Sequence, residues 1–198
     1  MEKEVIKENL FIYTIGHSNQ SMEDFLGLLQ LHKIQILVDI RSQPYSKHVP
    51  QFNQKELEQA VKRAGMKYLF LGRELGGRPE GEEFYDSEGH VLYGRLAGSP
   101  IFLEGIFRLE EGLRKELIIT LLCSEEDPKE CHRRLLVARV LIRRNIEIRH
   151  IRSNGSIEIE QEHVPIQLSM FSDVKEMDQW KSTRSVLLAE RPLTSLES

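Results

Sequence analysis

Apolar positions along the chain alternate between two spacings. Leu10 to Ile15 is a short apolar run that ends in Thr14-Ile15-Gly16-His17-Ser18-Asn19, the pattern of a strand running into a turn. Ser21 and Asp24 stand as a capping box ahead of Phe25, Leu28 and Leu29, which predicts a helix. Ile34 to Ile40 is a second strand, nearly all apolar until Asp39. Asn53 with Glu56 marks a second helix start; Leu57, Ala60, Val61 and Ala64 form its buried stripe and Gly65 closes it. Tyr68 to Leu71 reads as a third strand. Ser99-Pro100 opens a third helix with Ile101, Phe102, Leu103, Ile106, Phe107 and Leu113 on its apolar face. Leu117 to Leu122 is a fourth strand, Asp127-Pro128-Lys129-Glu130 the start of a fourth helix, and Ile146 to Ile151 a fifth strand before a tight turn at Asn154-Gly155.

Strands that alternate with helices predict an α/β fold: three layers, a mainly parallel sheet with helices on both faces. Residues 9–165 form the single domain. Residues 166–198 form a short C-terminal extension, partly flexible, and Met177 to Ser198 is polar. The connection from Gly72 to Gly98 carries seven glycines. Connections longer than ~12–15 residues are usually functional, so it reads as a lid or ligand-binding loop with room for a short hairpin.

Composition narrows the function classes. A hydrophobic content of 40% and a charged content of 29% fit a packed globular protein, and a net charge of −4 argues against a surface coated with basic side chains for nucleic acid. No apolar run approaches the ~20 residues of a membrane span, and Met1-Glu2-Lys3-Glu4 lacks a signal-peptide core. Two cysteines make no disulfide framework, so a reducing cytoplasm is the expected location.

In open parallel sheets ligands bind beyond the C-terminal strand ends, and the polar residues of this chain collect there. The strands deliver Gly16, His17 and Ser18; Asp39, Arg41 and Ser42; Gly72, Arg73, Glu74, Gly76, Gly77 and Arg78; and Cys123, Ser124, Glu125 and Glu126. The fourth helix adds Cys131, His132, Arg133 and Arg134 in its first turns. Arg41, Arg78 and Arg133 are expected to grip a phosphate or carboxylate, with the helix start adding N–H groups, Gly76-Gly77 letting backbone approach the ligand, and Ser18 and Cys131 beside it. The competing reading makes Asp39–Arg41 and Glu125–Arg133 ion pairs that brace loops.

A cysteine close to an arginine and a helix start is a candidate nucleophile, so Cys123 and Cys131 enter the site, although Cys131 shares a stripe with Leu135, Ala138 and Ile142 and reads equally as core. His17 and His132 are the candidate proton carriers, with Asp39 or Glu125 to orient them or to hold Mg²⁺ through water. Cys-x7-Cys-His lacks the C-x2-C spacing of zinc sites, so no metal ligand and no cofactor is assigned. Ser46 to Asn53 sets Lys47 and His48 beside Phe52, which suits a nucleic-acid contact or a hydrophobic staple for the next helix. In the tail, Gln167-Leu168-Ser169-Met170-Phe171 resembles the peptide that bacterial replication proteins insert into the sliding clamp; it is also an apolar segment able to pack on its own domain. The resemblance implies Gln167 in a polar subsite and Leu168, Met170 and Phe171 in a hydrophobic pocket.

Six stretches occur in order: Thr14 to Asn19, Val38-Asp39-Ile40-Arg41-Ser42-x-Pro44, Pro50-Gln51-Phe52-Asn53, Leu75-Gly76-Gly77-Arg78-Pro79, Leu121-Leu122-Cys123-Ser124-Glu125 and Cys131-His132-Arg133. Through them the chain, from about residue 10 to residue 165, resembles the domain of unknown function 488 family. The family commonly has Val at the place of Ile40 and Ala at the place of Ser124. The resemblance implies a cytoplasmic α/β domain and names no reaction.

Two functions are therefore expected to compete. One is an enzyme acting on a phosphate-bearing substrate, nucleotide or nucleic acid. The other is a non-catalytic nucleic-acid-binding module tethered to the sliding clamp through Gln167–Phe171. Thiol chemistry at Cys123 or Cys131 is a third class.

Overall fold

The computed structural model describes residues 10–160 and 178–185. Six strands form one sheet in the order β3-β2-β4-β1-β5-β6. They are β1 (Phe11–Gly16), β2 (Ile36–Asp39), β3 (Lys67–Phe70), β4 (Ile119–Cys123), β5 (Glu147–Ile151) and β6 (Ile157–Ile159). All pairings are parallel except β5 with β6, which turn on each other through Asn154-Gly155. The α/β class and the mainly parallel sheet are as the sequence predicts.

The period-2 alternation of the strands divides the core into two layers. Ile12, Val38, Ile119, Leu121 and Ile148 face α5 (Pro100–Arg114) and the helix that follows β4. Ile15, Leu37, Leu122 and Ile151 face α1 (Met22–Leu31) and α2 (Gln54–Arg63). The caps form largely as read. The Asp24 backbone N–H donates to Ser21 Oγ at 3.0 Å, and Ser21 Oγ–H donates back to Asp24. Ser99 caps α5 with Pro100 in its first turn. Asn53 is the α2 cap by position, but its Oδ1 accepts from the Ser46 N–H at 2.7 Å, so it pins the preceding loop.

Two expectations are corrected. The segment from Gly72 to Gly98 is no lid. It holds α3 (Gly72–Leu75), a 3-10 turn at Glu82–Phe84, a narrow hairpin bridged at Tyr85 and Val91, and α4 (Tyr93–Ala97). Leu75, Val91, Leu92, Tyr93 and Leu96 are buried, and that apolar anchorage fixes the segment as a wall. The fourth helix does not start at Asp127. There the Asp127 carboxylate accepts the Lys129 N–H, and Cys131 N–H reaches Pro128 O, which closes turns instead. Helical structure begins at His132, runs as a π-helical stretch over Arg133–Ala138 and continues as α6 (Arg139–Ile142). Wide π turns are rare and frequently lie at functional sites. Among the described residues no helix is long and apolar enough to cross a membrane.

Candidate active site

Strand register sets the site. Gly16 lies level with Cys123 on β1 and β4, and Asp39 lies level with Leu122 on β2 and β4. Three neighbouring strands therefore end in one row. A Cβ on Gly16 would stand 1.7 Å from the Glu125 carbonyl oxygen, so only glycine lets β1 pass this close to the loop after β4.

At that row, Cys123 Sγ stands 3.1 Å and Cys131 Sγ 3.3 Å from Glu125 Oε2. His132 Nδ1 lies 3.5 Å from Cys123 Sγ and 3.9 Å from Cys131 Sγ. The opposite ring nitrogen, Nε2, is 3.0 Å from the Ile40 carbonyl oxygen. A carbonyl can only accept, so Nε2 carries a hydrogen and the ring turns Nδ1 toward the two sulfurs. Both sulfurs are buried, His132 is half-buried, and the Glu125 residue is exposed with its carboxylate reaching inward.

These groups tune one another. The Cys131 thiol hydrogen bond, acting against burial and helped by His132, lowers the pKa of Cys123. Burial and the Cys123 sulfur raise Cys131 well above the usual thiol range. Burial pulls His132 down, but Cys123 and Glu125 outweigh it and leave it raised. Burial pushes Glu125 up, while the two thiols and His132 hold it below its ordinary value. Cys123 is the more acidic thiol of the pair.

The cluster opens into a cleft of about 760 Å³, lined also by Ser42, Tyr45, Gly77, Arg78, Tyr93 and Lys129 and by Ser182 to Ser185 from the C-terminal segment. Gly77 is what admits the His132 ring: a Cβ there would stand 2.8 Å from the ring's Cγ.

The sequence profile described as "Domain of unknown function DUF488" matches residues 21–140. The chain belongs to the DUF488 family. No curated protein and no solved structure matches it.

Within this DUF488 domain the predicted site residues separate into two groups. Cys123, Glu125, Cys131 and His132 come together at the cleft, with Arg41, Gly77 and Arg78 on its lining. Gly76 sits just behind: a Cβ there would be 2.2 Å from the Gly72 oxygen, so its role is close chain packing. The three-arginine anion clamp is not what forms. Arg41 holds Asp39 through Nε at 2.9 Å and Nη2 at 2.5 Å, and donates from Nη1 to Phe52 O at 2.9 Å. Arg133, fully buried, donates both Nη groups to the carbonyls of Glu125 and Glu126 and so ties down the loop after β4. Both guanidinium groups are thus engaged inside the protein; Arg41 borders the cleft while buried, and Arg78 borders it exposed.

The bracing alternative holds for Asp39–Arg41. For Arg133 the partner is Glu125's backbone, not its carboxylate. Asp39 is completely buried and also accepts from Tyr68 OH at 2.8 Å, which leaves it no face for Mg²⁺ or a substrate. His17 is buried, stacks on Phe52 at 4.4 Å and bonds Ser18 O; burial first, then Arg41, lowers its pKa to about 4, so it stays neutral and structural. Phe52 is therefore a buried staple and no base-stacking platform. Ser18 lies outside the cleft lining, its backbone N–H bonded to Ser124 O at 2.8 Å. Gln167, Leu168, Met170 and Phe171 lie outside the described residues.

Sequence reasoning missed the strap at 178–185. Trp180 Nε1 donates to Leu135 O at 2.8 Å, and its ring lies under Arg139 at 4.5 Å. Ser182 and Val91 exchange two hydrogen bonds at 2.9 Å, and Asp178 pairs with Arg95. The signal was the lone tryptophan of the chain, standing in a polar segment. Indole rings rarely stay in water when a surface can take them.

Proposed function

We propose that the cleft is the active site of an enzyme acting on a small phosphate-bearing substrate, with its chemistry carried by Cys123, Cys131, His132 and Glu125. The observation that carries this reading is the meeting of two sulfurs, an imidazole and a carboxylate within 3.1–3.9 Å at the base of an open cleft. Structural cysteines and histidines are ordinarily shut into apolar surroundings; these face space for a ligand. A volume of about 760 Å³ suits a small molecule better than a polymer. The lining sets Arg41, Arg78, Lys129 and Arg184 against Glu125, Asp127 and Glu130, and the exposed Arg78 and Lys129 are the cations an anionic group would meet. A reducing cytoplasm is the compartment in which two such free thiols stay available.

The test is a panel of nucleoside phosphates, sugar phosphates and short oligonucleotides, with binding followed by calorimetry and turnover by phosphorus NMR. We expect a small phosphate compound to turn over, Cys123→Ala to lose at least ~100-fold in rate, and Arg78→Ala to weaken binding about tenfold. Full activity in Cys123→Ala, or no binding across the panel, refutes the reading.

A further inference from the structure

We propose that Cys123, Cys131 and His132 form a binding site for one thiophilic divalent cation of the zinc class, with a fourth coordination position open to the cleft. The inference rests on the reading of the cleft as an active site and names the cofactor of that site.

Three observations carry it. The first is distance. The two Sγ atoms and Nδ1 lie within 4.8 Å of one another, with sulfur–nitrogen separations of 3.5 and 3.9 Å. Zinc–sulfur bonds of ~2.3 Å and zinc–nitrogen bonds of ~2.0–2.1 Å at tetrahedral angles place sulfur and nitrogen about 3.6 Å apart. The two sulfur–nitrogen pairs are already spaced close to vertices of such a tetrahedron. The second is orientation. A metal-bound histidine needs its other nitrogen fixed by an acceptor, and the Ile40 carbonyl at 3.0 Å from Nε2 does this while the ring turns Nδ1 toward the sulfurs. The third is charge. Each of the two sulfurs lies within 3.3 Å of the Glu125 carboxylate, and the buried Arg133 guanidinium is committed to backbone oxygens. Both thiols donate to Glu125, and exchange of their two hydrogens for one divalent cation would leave the net charge of the cluster unchanged.

Spacing in sequence hid this site. Cys123 comes from the end of β4, while Cys131 and His132 come from the turn that leads into the π-helical stretch. The seven residues between the cysteines form a loop tied back by Arg133, which returns the chain to its starting point. Three protein ligands with an open position are the arrangement of catalytic zinc; structural zinc takes four. Water at the open position would be the nucleophile of a hydrolytic step. A metal held by Cys123, Cys131 and His132 would supply that polarised water, and Glu125, beside both sulfurs, would accept the proton it gives up and return it to the leaving group.

The experiment uses the full chain, purified reduced and without chelator. Elemental analysis should give one zinc per chain. Titration of metal-free protein with Co²⁺ should produce thiolate-to-cobalt charge-transfer absorption together with the visible bands of tetrahedral cobalt, saturating at one equivalent. Cys131→Ser and His132→Gln should each lower Co²⁺ affinity at least ~100-fold. Should these variants fail to fold, the zinc-loaded parent is titrated with a mercurial beside a metallochromic dye, and modification of two thiols should release one metal ion. Absence of charge-transfer absorption, or equal metal binding in folded variants lacking these donors, overturns the proposal. Metal binding without turnover of any phosphate compound would retain the metal site and remove the proposed substrate. Turnover in chelator-treated, metal-free protein would do the reverse.

Discussion

A single methyl group at Gly77 is the sharpest probe of the site. Gly77→Ala would place its Cβ 2.8 Å from Cγ and 3.0 Å from Nδ1 of His132. Ordinary contact begins at 3.4 Å, so the ring must retreat by about 0.6 Å. It cannot do so freely, because Nε2 is held by Ile40 O at 3.0 Å and the backbone is fixed by the turn that begins the helix. Overpacking of this kind costs roughly 1–3 kcal/mol, or about 3–10 °C in melting temperature for a chain of this size. A metal site tolerates displacements of only ~0.2 Å, so Co²⁺ affinity should fall roughly 10–100-fold. The assay pairs thermal melts with Co²⁺ titration. Gly27→Ala is the control: it lies inside α1 with nothing within 4 Å of the added carbon, so it should raise stability by about 1 kcal/mol and leave the site alone. If Gly77→Ala instead melts and binds cobalt like the Gly27 variant, His132 is not positioned as argued.

Other consequences can be checked separately. Asp39→Asn leaves Arg41 buried and unneutralised, at a cost of about 3–5 kcal/mol; a urea midpoint matching the parent would show the pair to be dispensable. Trp180→Ala removes the ring that pins the strap, with a loss of up to about 3 kcal/mol; trypsin should then cut at Lys181 and Arg184 more than ten times faster, and an unchanged rate would mean the strap is held elsewhere. Burial pushes Glu160 up, but its bonds to His150 and Arg134 prevail and hold its pKa at about 2, against an ordinary 4.5. The folded chain therefore binds that proton more weakly than the unfolded chain, so the contribution to stability is complete above about pH 4.5 and disappears as pH falls through about 2. Glu160→Gln should flatten the acid side of the stability curve in that window, and an identical acid side would contradict the assignment.

Local signals were enough for the frame. The apolar runs gave strands because period and length suffice for that, and the Ser21 and Ser99 caps formed because a hydroxyl three residues from a free N–H needs no distant partner. The expectation of helix at Asp127 failed for a related reason: Asp-Pro also caps tight turns, and what selects between turn and helix here is Arg133 drawing the Glu125 and Glu126 carbonyls inward.

Which polar residues share the cleft was beyond the reach of sequence order. Asp39, Arg41 and His17 stand at the same strand ends as Cys123, yet burial and mutual hydrogen bonding tie them to one another, and of the three only Arg41 reaches the cleft lining. Charge alone could not tell an arginine that meets a ligand from one that meets a carbonyl, because that depends on the depth at which each guanidinium lies. The Cys-x7-Cys-His spacing likewise carries no metal signature along the chain. It becomes a three-donor cluster because β4 is central in the sheet and its outgoing loop folds back on its own origin, a closure set by long-range packing and not by neighbouring residues.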